Sequence, residues 1–413
     1  MNLLRLRWLT AVLLVAAAMA AVPETVTAEE LLRFRYAEGD QYRILSTTDQ
    51  VVTINGQVHQ ENQITNRIAI EVTDADEDSG RHELTAAVLY RAQVASDILQ
   101  YGREYESEFR RDVRGFYDID PSFEVPPTQN VPIFPEAAVS VGDSWSFEGR
   151  EIINLEESLD VSAGYNGPIL SRISFPVGYR FDSIEERDGE PVAVIAVDYA
   201  LHHRPTGVSP DLWYPVLISG EISQRIYWNL ERGRLVESDG TYVFAFSMAS
   251  GDLVVFQGTT RSEVIDSRPL DRENVRRRIE DDLRDRGVED AEVTSDDRGV
   301  TITLDNIQFP PDSAALISAE QEKLRQIGEI LRNYPENDIL VSGHTALAGT
   351  AEGRQRLSEQ RAAAVGEFLI DEDVREPDRI LYQGFGARRP VADNSTPEGM
   401  RKNRRVEITI LEN

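Results

Sequence analysis

The chain has 413 residues, 41% of them hydrophobic, which is enough to bury a core and build one to three domains and excludes wholesale disorder. A formal charge of −29 excludes nucleic acid as a partner, because a phosphate backbone needs a basic footprint. Cysteine is absent, which excludes disulfides, thiolate metal sites, cysteine nucleophiles and an acylated cysteine anchor.

The N-terminus reads as a targeting segment. Arg5 and Arg7 precede an apolar run from Trp8 to Ala21, shorter than the roughly 20 residues of a membrane span. Small-residue cleavage sites follow at Ala18-Met19-Ala20 and Val26-Thr27-Ala28. Cleavage after Ala28 makes residues 1–28 a signal peptide and predicts export to the periplasm, in association with the outer membrane.

Residues 29–268 read as a soluble all-β domain, an antiparallel sandwich or half-barrel. Arg67 to Val72 alternates, turns through acidic residues at Asp74 to Gly80, and resumes at Leu84 to Tyr90. A second hairpin runs from Tyr179 to Ile184, turns at Asp188-Gly189 and returns along Val192 to Tyr199. Further strands are expected at Glu221 to Leu230, Tyr242 to Met248 and Leu253 to Gln257. Gly39-Asp40-Gln41-Tyr42 and Gly142-Asp143-Ser144-Trp145 share a pattern, so the domain divides into two similar halves near residues 121–140, or the match is common turn chemistry. The proline-rich stretch Pro121 to Pro135 reads as an extended surface connection. Charges along the strands argue against a lipid-facing barrel.

Residues 269–298 form an acidic bridge. Its helix, Asp271 to Arg286, carries only Val275, Ile279 and Leu283 as a narrow apolar stripe, with Gly287 placed to end it. A short hairpin, Ala291 to Ser295 and Gly299 to Leu304, follows. From Gly299 onward strands and helices alternate in an α/β unit, residues 299–413. Ser318-Ala319-Glu320-Gln321 reads as a capping box before a helix with Leu324, Ile327 and Leu331 on its apolar face. A second helix is expected from about Ala351 to Ile370, and strands at Ile339 to Val341, Ile380 to Tyr382 and Val406 to Leu411.

This last unit carries a family signature. Phe309, Asp312-Ser313-Ala314, Gly343-His344-Thr345, Gly349, Leu357-Ser358, Arg361-Ala362, Gly384, Gly386, Pro390 and Asn403-Arg404-Arg405-Val406-Glu407-Ile408 stand in the order and spacing of the OmpA-like C-terminal domain, which residues 299–413 resemble. The resemblance implies a mixed sheet with two main helices that grips periplasmic peptidoglycan through the diamino acid of its stem peptide. It says nothing about residues 29–298.

In the second helix Arg361 falls inside the stripe marked by Leu357, Val365 and Phe368, where a guanidinium needs an anion or a paired carboxylate. The loop from Gly343 to Thr350 leaves the carboxyl end of a strand, where open α/β sheets place ligands. With what the resemblance implies, the expected ligand-binding set is Arg361, Gly343, Thr345, Ala346, Arg354, Asp312 and Arg405. An internal salt bridge is the alternative role for Arg361. The resemblance implies an aspartate directly after Gly-His-Thr to receive the ligand's ammonium; Ala346 stands there instead. Arg354 stands where the family has an asparagine, and Asp312 or Glu352 is left to supply the missing charge. His344 reads as a packing residue.

No nucleophile elbow, phosphate loop, dinucleotide fingerprint or metal-ligand spacing is present, so no enzyme, cofactor or metal is expected. The function read from sequence is a non-enzymatic envelope protein that associates with peptidoglycan through a partly degenerate site. The alternatives are a protein–protein adaptor that has lost peptidoglycan binding, or a lipid or lipoprotein carrier. In the carrier reading Val192 to Val197 and Val243 to Phe246 line the β domain, and other envelope proteins or lipid bind residues 29–268.

Overall fold

The computed structural model describes residues 29–91, 98–154, 170–205, 214–266, 270–288, 291–296, 298–305 and 314–412. The expected signal peptide and Asp312 lie outside them. Among the described residues, twelve strands build a large N-terminal β-rich region. They are β1 (Gln41–Ile54), β2 (Gln57–Ala75), β3 (Ser79–Arg91), β4 (Leu99–Asp112), β5 (Tyr117–Ile119), β6 (Thr128–Gln129), β7 (Ser144–Asn154), β8 (Leu170–Arg187), β9 (Glu190–His203), β10 (Pro215–Asn229), β11 (Arg234–Met248) and β12 (Leu253–Asp266).

Two antiparallel meanders, β1 to β5 and β6 to β12, share one seam. β1 pairs with β2 and also with β12, from Tyr42↔Asp266 to Ile54↔Val254. With β2–β3, β3–β4, β4–β5, β6–β7, β7–β8, β8–β9, β9–β10, β10–β11 and β11–β12 this makes a single antiparallel sheet, not the two facing sheets of a sandwich. Period-2 chemistry sets its faces: along β8, Ile173, Phe175, Val177, Tyr179 and Phe181 are buried while the residues between them are exposed. Asp188-Gly189 turns β8 into β9 with both φ positive, 52° and 79°, as the sequence pattern requires. The two Gly-Asp motifs make the same turn, in which Asp40 Oδ2 accepts from Ala37 N and Asp143 Oδ2 accepts from Ser140 N.

The sheet curls around two chain segments laid on its concave face. Phe34 packs edge-on against Trp228 of β10, 4.6 Å between ring centroids, while the Arg111 guanidinium of β4 lies 4.0 Å over the same ring. One phenyl ring touches strands on opposite arms of the sheet, so the arms must converge. The second segment corrects the sequence reading. Ile133 and Phe134, expected on a surface connection, are fully buried, and Phe134 packs tilted against Phe34 and edge-on against Trp228. Apolar side chains in a proline-rich stretch fill the concavity that the curl creates.

The C-terminal unit adds α1 (Arg272–Asp285), β13 (Ala291–Asp296), β14 (Gly299–Asp305), α2 (Ser318–Leu331), β15 (Ile339–Gly343), α3 (Ala351–Asp371), β16 (Ile380–Gly384), α4 (Pro397–Asn403) and β17 (Arg405–Leu411). Its sheet order is β13–β14–β17–β15–β16, with only β15–β16 parallel. Val275, Ile279 and Leu283 of the bridging helix α1 share one core with α2, α3 and the sheet, so the narrow stripe suffices to dock that helix. The capping box does not form. Ser318 is the first helical residue, which leaves Ile317 at the cap without a side-chain bond and turns Glu320 inward, 5% exposed.

His82 of β3 tests the β-region core. It is fully buried, stacked on Phe109 at 4.9 Å and met edge-on by Tyr36. Burial first, and then the Arg111 charge, push its pKa down to about 3, against a backbone hydrogen bond at Gly80. The unfolded chain takes up this proton near the ordinary histidine value of about 6.5, so stability is full above that pH and falls as pH drops toward 3. Between pH 7.5 and pH 5 the loss from this group is about 2 kcal/mol. Denaturant melts of His82→Phe are expected to show a pH dependence flatter by that amount than wild type.

Candidate functional site

The site is built where β15 and β16 run out beneath α3. A Cβ on Gly343 would lie 2.1 Å from the Ser358 carbonyl oxygen, and one on Gly384 would lie 2.6 Å from Ser358 Oγ. Both strands therefore end in glycine, because the helix backbone rests on theirs. Ser358 is fully buried; its Oγ donates to Gln355 O at 2.7 Å and accepts from Gly386 N at 2.8 Å. The loop after β15 is tied to the loop after β16 by Phe385 N donating to Gly343 O and Thr345 N donating to Gly386 O. Thr350 caps α3 by accepting from Gly353 N at 3.1 Å.

Small residues give α3 its inward face. Ser358, Ala362, Val365, Gly366 and Leu369 are buried, whereas Leu357 and Phe368 are only half-buried. Arg361 therefore lies at the margin of the buried face, half-buried and engaged, rather than in the centre of an apolar stripe as expected. The displacement follows from the close seat: over the glycine strand ends the helix turns Ser358 and Ala362 toward the sheet, and Val365, Gly366 and Leu369 complete the buried face. Arg361 stands one turn beyond Ser358, on the helix that covers Gly343.

The remaining predicted residues divide. Thr345 and Ala346 are buried in the loop, 6% and 5% exposed, and the Thr345 hydroxyl has no hydrogen-bond partner. Ala346 presents a methyl group where a carboxylate was the family expectation. Arg354, in the first turn of α3, folds back so that Nη1 donates to Gly349 O at 2.5 Å. Arg405 does not join Arg361. Strand alternation puts 405, 407, 409 and 411 on the sheet face away from α3, since Val406, Ile408 and Ile410 enter the helix-side core. There Arg405, 3% exposed, donates to Glu407 Oε1 from Nε at 2.8 Å and lies 2.7 Å from it at Nη2, while His344 Nε2 stands 3.3 Å from Glu407 Oε2. Burial works to raise the Glu407 pKa, but His344 and Arg405 outweigh it and hold the carboxyl at about 2. Burial pushes His344 down against the pull of Glu407. Its ring stacks on Phe385, 5.1 Å apart, the packing role expected for it.

Two contributions lie outside the expected ligand-binding set, although Asn403 stands in the family signature. Arg388 donates to Gln355 Oε1 at 2.6 Å and to Gly384 O at 3.2 Å, bracing the first turns of α3. Asn403, fully buried, accepts from Val391 N and Ala392 N and donates to Ala392 O, fixing the loop before α4. Both act on an irregular loop, where no periodicity exists to read.

Glu407→Gln removes the charge that neutralises buried Arg405. Breaking a buried pair from one side costs about 3–5 kcal/mol. Equilibrium unfolding is expected to show a loss of that order for Glu407→Gln, whereas the exposed Glu398→Gln changes stability by less than about 0.5 kcal/mol.

Comparison with known proteins agrees with this geometry. The OmpA family model matches residues 308–404. Over 134 residues the chain is 37% identical to the probable lipoprotein YiaD of Escherichia coli, covering 32% of this chain and 59% of that protein. It is 37% identical over 111 residues to outer membrane porin F of Pseudomonas aeruginosa, covering 27% of this chain and 31% of the porin. It is 38% identical over 109 residues to the peptidoglycan-binding protein ArfA of Mycobacterium tuberculosis, covering 26% of this chain and 33% of that protein. The chain thus spans less than two thirds of each of these relatives. The similarity to the OmpA family is thus carried by residues 308–404, the part of the chain seated on Gly343, Ser358 and Gly384.

Proposed function

We propose that this protein is a non-enzymatic component of the cell envelope, exported and associated with the outer membrane, that holds peptidoglycan by the diamino acid of its stem peptide. The observation that carries the reading is the intact seat of α3 on Gly343 and Gly384, with Arg361 one turn beyond Ser358 on the helix that covers the loop. A guanidinium there offers a planar pair of donors to a carboxylate. One relative, the Mycobacterium tuberculosis protein, is named for peptidoglycan binding, which supports the assignment.

In this reading the site is half complete. Arg361 takes the carboxylate of the diamino acid, and Gly343, Thr345 and Ala346 shape the loop beside it. The ammonium has no carboxylate at position 346. Arg354 is tied to the Gly349 carbonyl, which draws its charge toward the loop backbone. A charge-assisted hydrogen bond is worth about 1.5–3 kcal/mol, so the alanine weakens binding roughly ten- to hundredfold.

Buried Ala346 also favours a second reading, a protein–protein adaptor that has lost the ligand. The lipid-carrier reading gains less support. The concave groove of about 650 Å³ in the β-rich region has Gln50, Asn62, Tyr242 and Gly258 along its floor, and Val243 is 41% exposed, away from the core. Gln50 Nε2 donates to Tyr242 Oη and Asn62 Nδ2 donates to Gln50 Oε1, so a polar hydrogen-bonded row crosses this groove.

Co-sedimentation of the mature protein with sacculi tests the proposal. Arg361→Ala is expected to abolish sedimentation, and Arg361→Lys to rescue it poorly because a point charge lacks the two-donor plane. Ala346→Asp is expected to tighten binding to a diaminopimelate-type wall roughly ten- to hundredfold. Unchanged sedimentation of a folded Arg361→Ala protein would make the arginine structural and leave the adaptor reading in front.

A further inference from the structure

The C-terminal sheet has one edge and one face that its own helices leave bare, and the N-terminal region occupies both. β16 pairs on one side with β15; on its other side β4 adds in parallel, with Leu381↔Leu99 and Tyr382↔Gln100 in register. On the face away from α2 and α3, Leu340, Leu381 and Leu411 form one buried cluster with Ala87, Leu89, Leu99 and Tyr101 of β3 and β4.

A side chain from the β-rich region also enters the helix-side core. Ile98, fully buried, belongs to the cluster of α2, α3 and β14–β17. Its seat is the glycine at 366: a Cβ there would lie 3.1 Å from Ile98 Cδ1 and 3.2 Å from Ile380 Cγ2. An ion triad brackets the contact. Asp338, in the turn before β15, meets Arg67 of β2 at 2.9 Å and Arg379 at 2.8 Å. Asp338 and Arg67 are largely shielded, with side-chain exposures of 14% and 17%.

An open strand edge beside an apolar face is a template for unwanted pairing. We infer that β3 and β4 are the permanent occupants of this surface, so that the two regions are held as one body by the interface and not only by the covalent link. A wall-held C-terminal unit then carries the β-rich region in a fixed orientation. That last consequence rests on the proposed wall binding; the interface does not.

The test uses the full chain with a specific protease site inserted between Asp266 and Leu270, cut after folding. At micromolar concentration the two fragments are expected to co-elute in size exclusion, and those of Ile98→Asp to separate. Separation of the wild-type fragments, or co-elution with Ile98→Asp, overturns the inference. Gly366→Val fills the seat from the C-terminal side and leaves the β-rich sequence untouched. It is expected to weaken association roughly tenfold, and unchanged association counts against the interface even if Ile98→Asp does not fold. Adding sacculi separates this inference from the proposed function. Both cut fragments of the wild type are expected to pellet, but only the C-terminal one with Ile98→Asp. If neither pellets, wall binding fails while co-elution still reports the interface.

Discussion

Backbone-to-backbone contact between α3 and the ends of β15 and β16 governs the C-terminal unit. It exists only because positions 343 and 384 have no Cβ: one would sit at 2.1 Å and the other at 2.6 Å from Ser358 atoms. From that contact follow the burial of Ser358, its two hydrogen bonds, the joining of the two strand-end loops and the rotation of α3 that leaves Arg361 at the margin of the core. Any larger residue at either glycine would force α3 to shift away from the strand ends on which it rests. The candidate site is therefore a consequence of how closely a helix approaches a sheet.

The β-rich region answers a different constraint. A single antiparallel sheet with one apolar face must curl on itself or cover that face, and here it does both. The segments around Phe34 and Phe134 fill the concavity with rings shared by β4 and β10. Polar groups within it are handled by pairing or by neutrality. Arg111 donates to the hydroxyls of Tyr36 and Tyr117, whereas His82 gives up its proton. At the groove between β1, β2, β11 and β12, Gln50, Asn62 and Tyr242 satisfy one another by hydrogen bonds.

Charge is distributed in the same spirit. The acidic excess lies mainly before residue 299; Glu83, Asp198 and Glu221 are exposed on their strands, whereas Glu151 of β7 turns inward, where burial pushes its pKa up to about 7. Within the C-terminal sheet one carboxylate, Glu407, serves both a buried guanidinium and a buried imidazole. That cluster lies on the face opposite α3, so two arginines of one family signature, Arg361 and Arg405, end on opposite sides of the sheet. One adjoins the candidate ligand cleft and the other is a structural ion pair.

The amino-acid sequence alone determined the division into a β-rich region and an α/β unit, because alternation with period 2 and helical stripes are local properties. It determined the Asp188-Gly189 turn and the family signature of residues 343 to 408, whose glycines and arginines recur at fixed spacing. It did not determine which face of α3 is buried, since hydrophobic size pointed to Leu357 and Phe368 while the glycine seat selected Ser358, Ala362 and Gly366. Nor did it reveal that Arg405 faces away from Arg361, that Ile133 and Phe134 are buried, or that Ile98 enters the C-terminal core. Those outcomes depend on contacts between residues far apart in the chain, Phe134 with Trp228 and Ile98 with Gly366, and no local pattern encodes such a distance. Only the tertiary structure decided them, because burial is a property of the neighbour a residue meets and not of the residue itself.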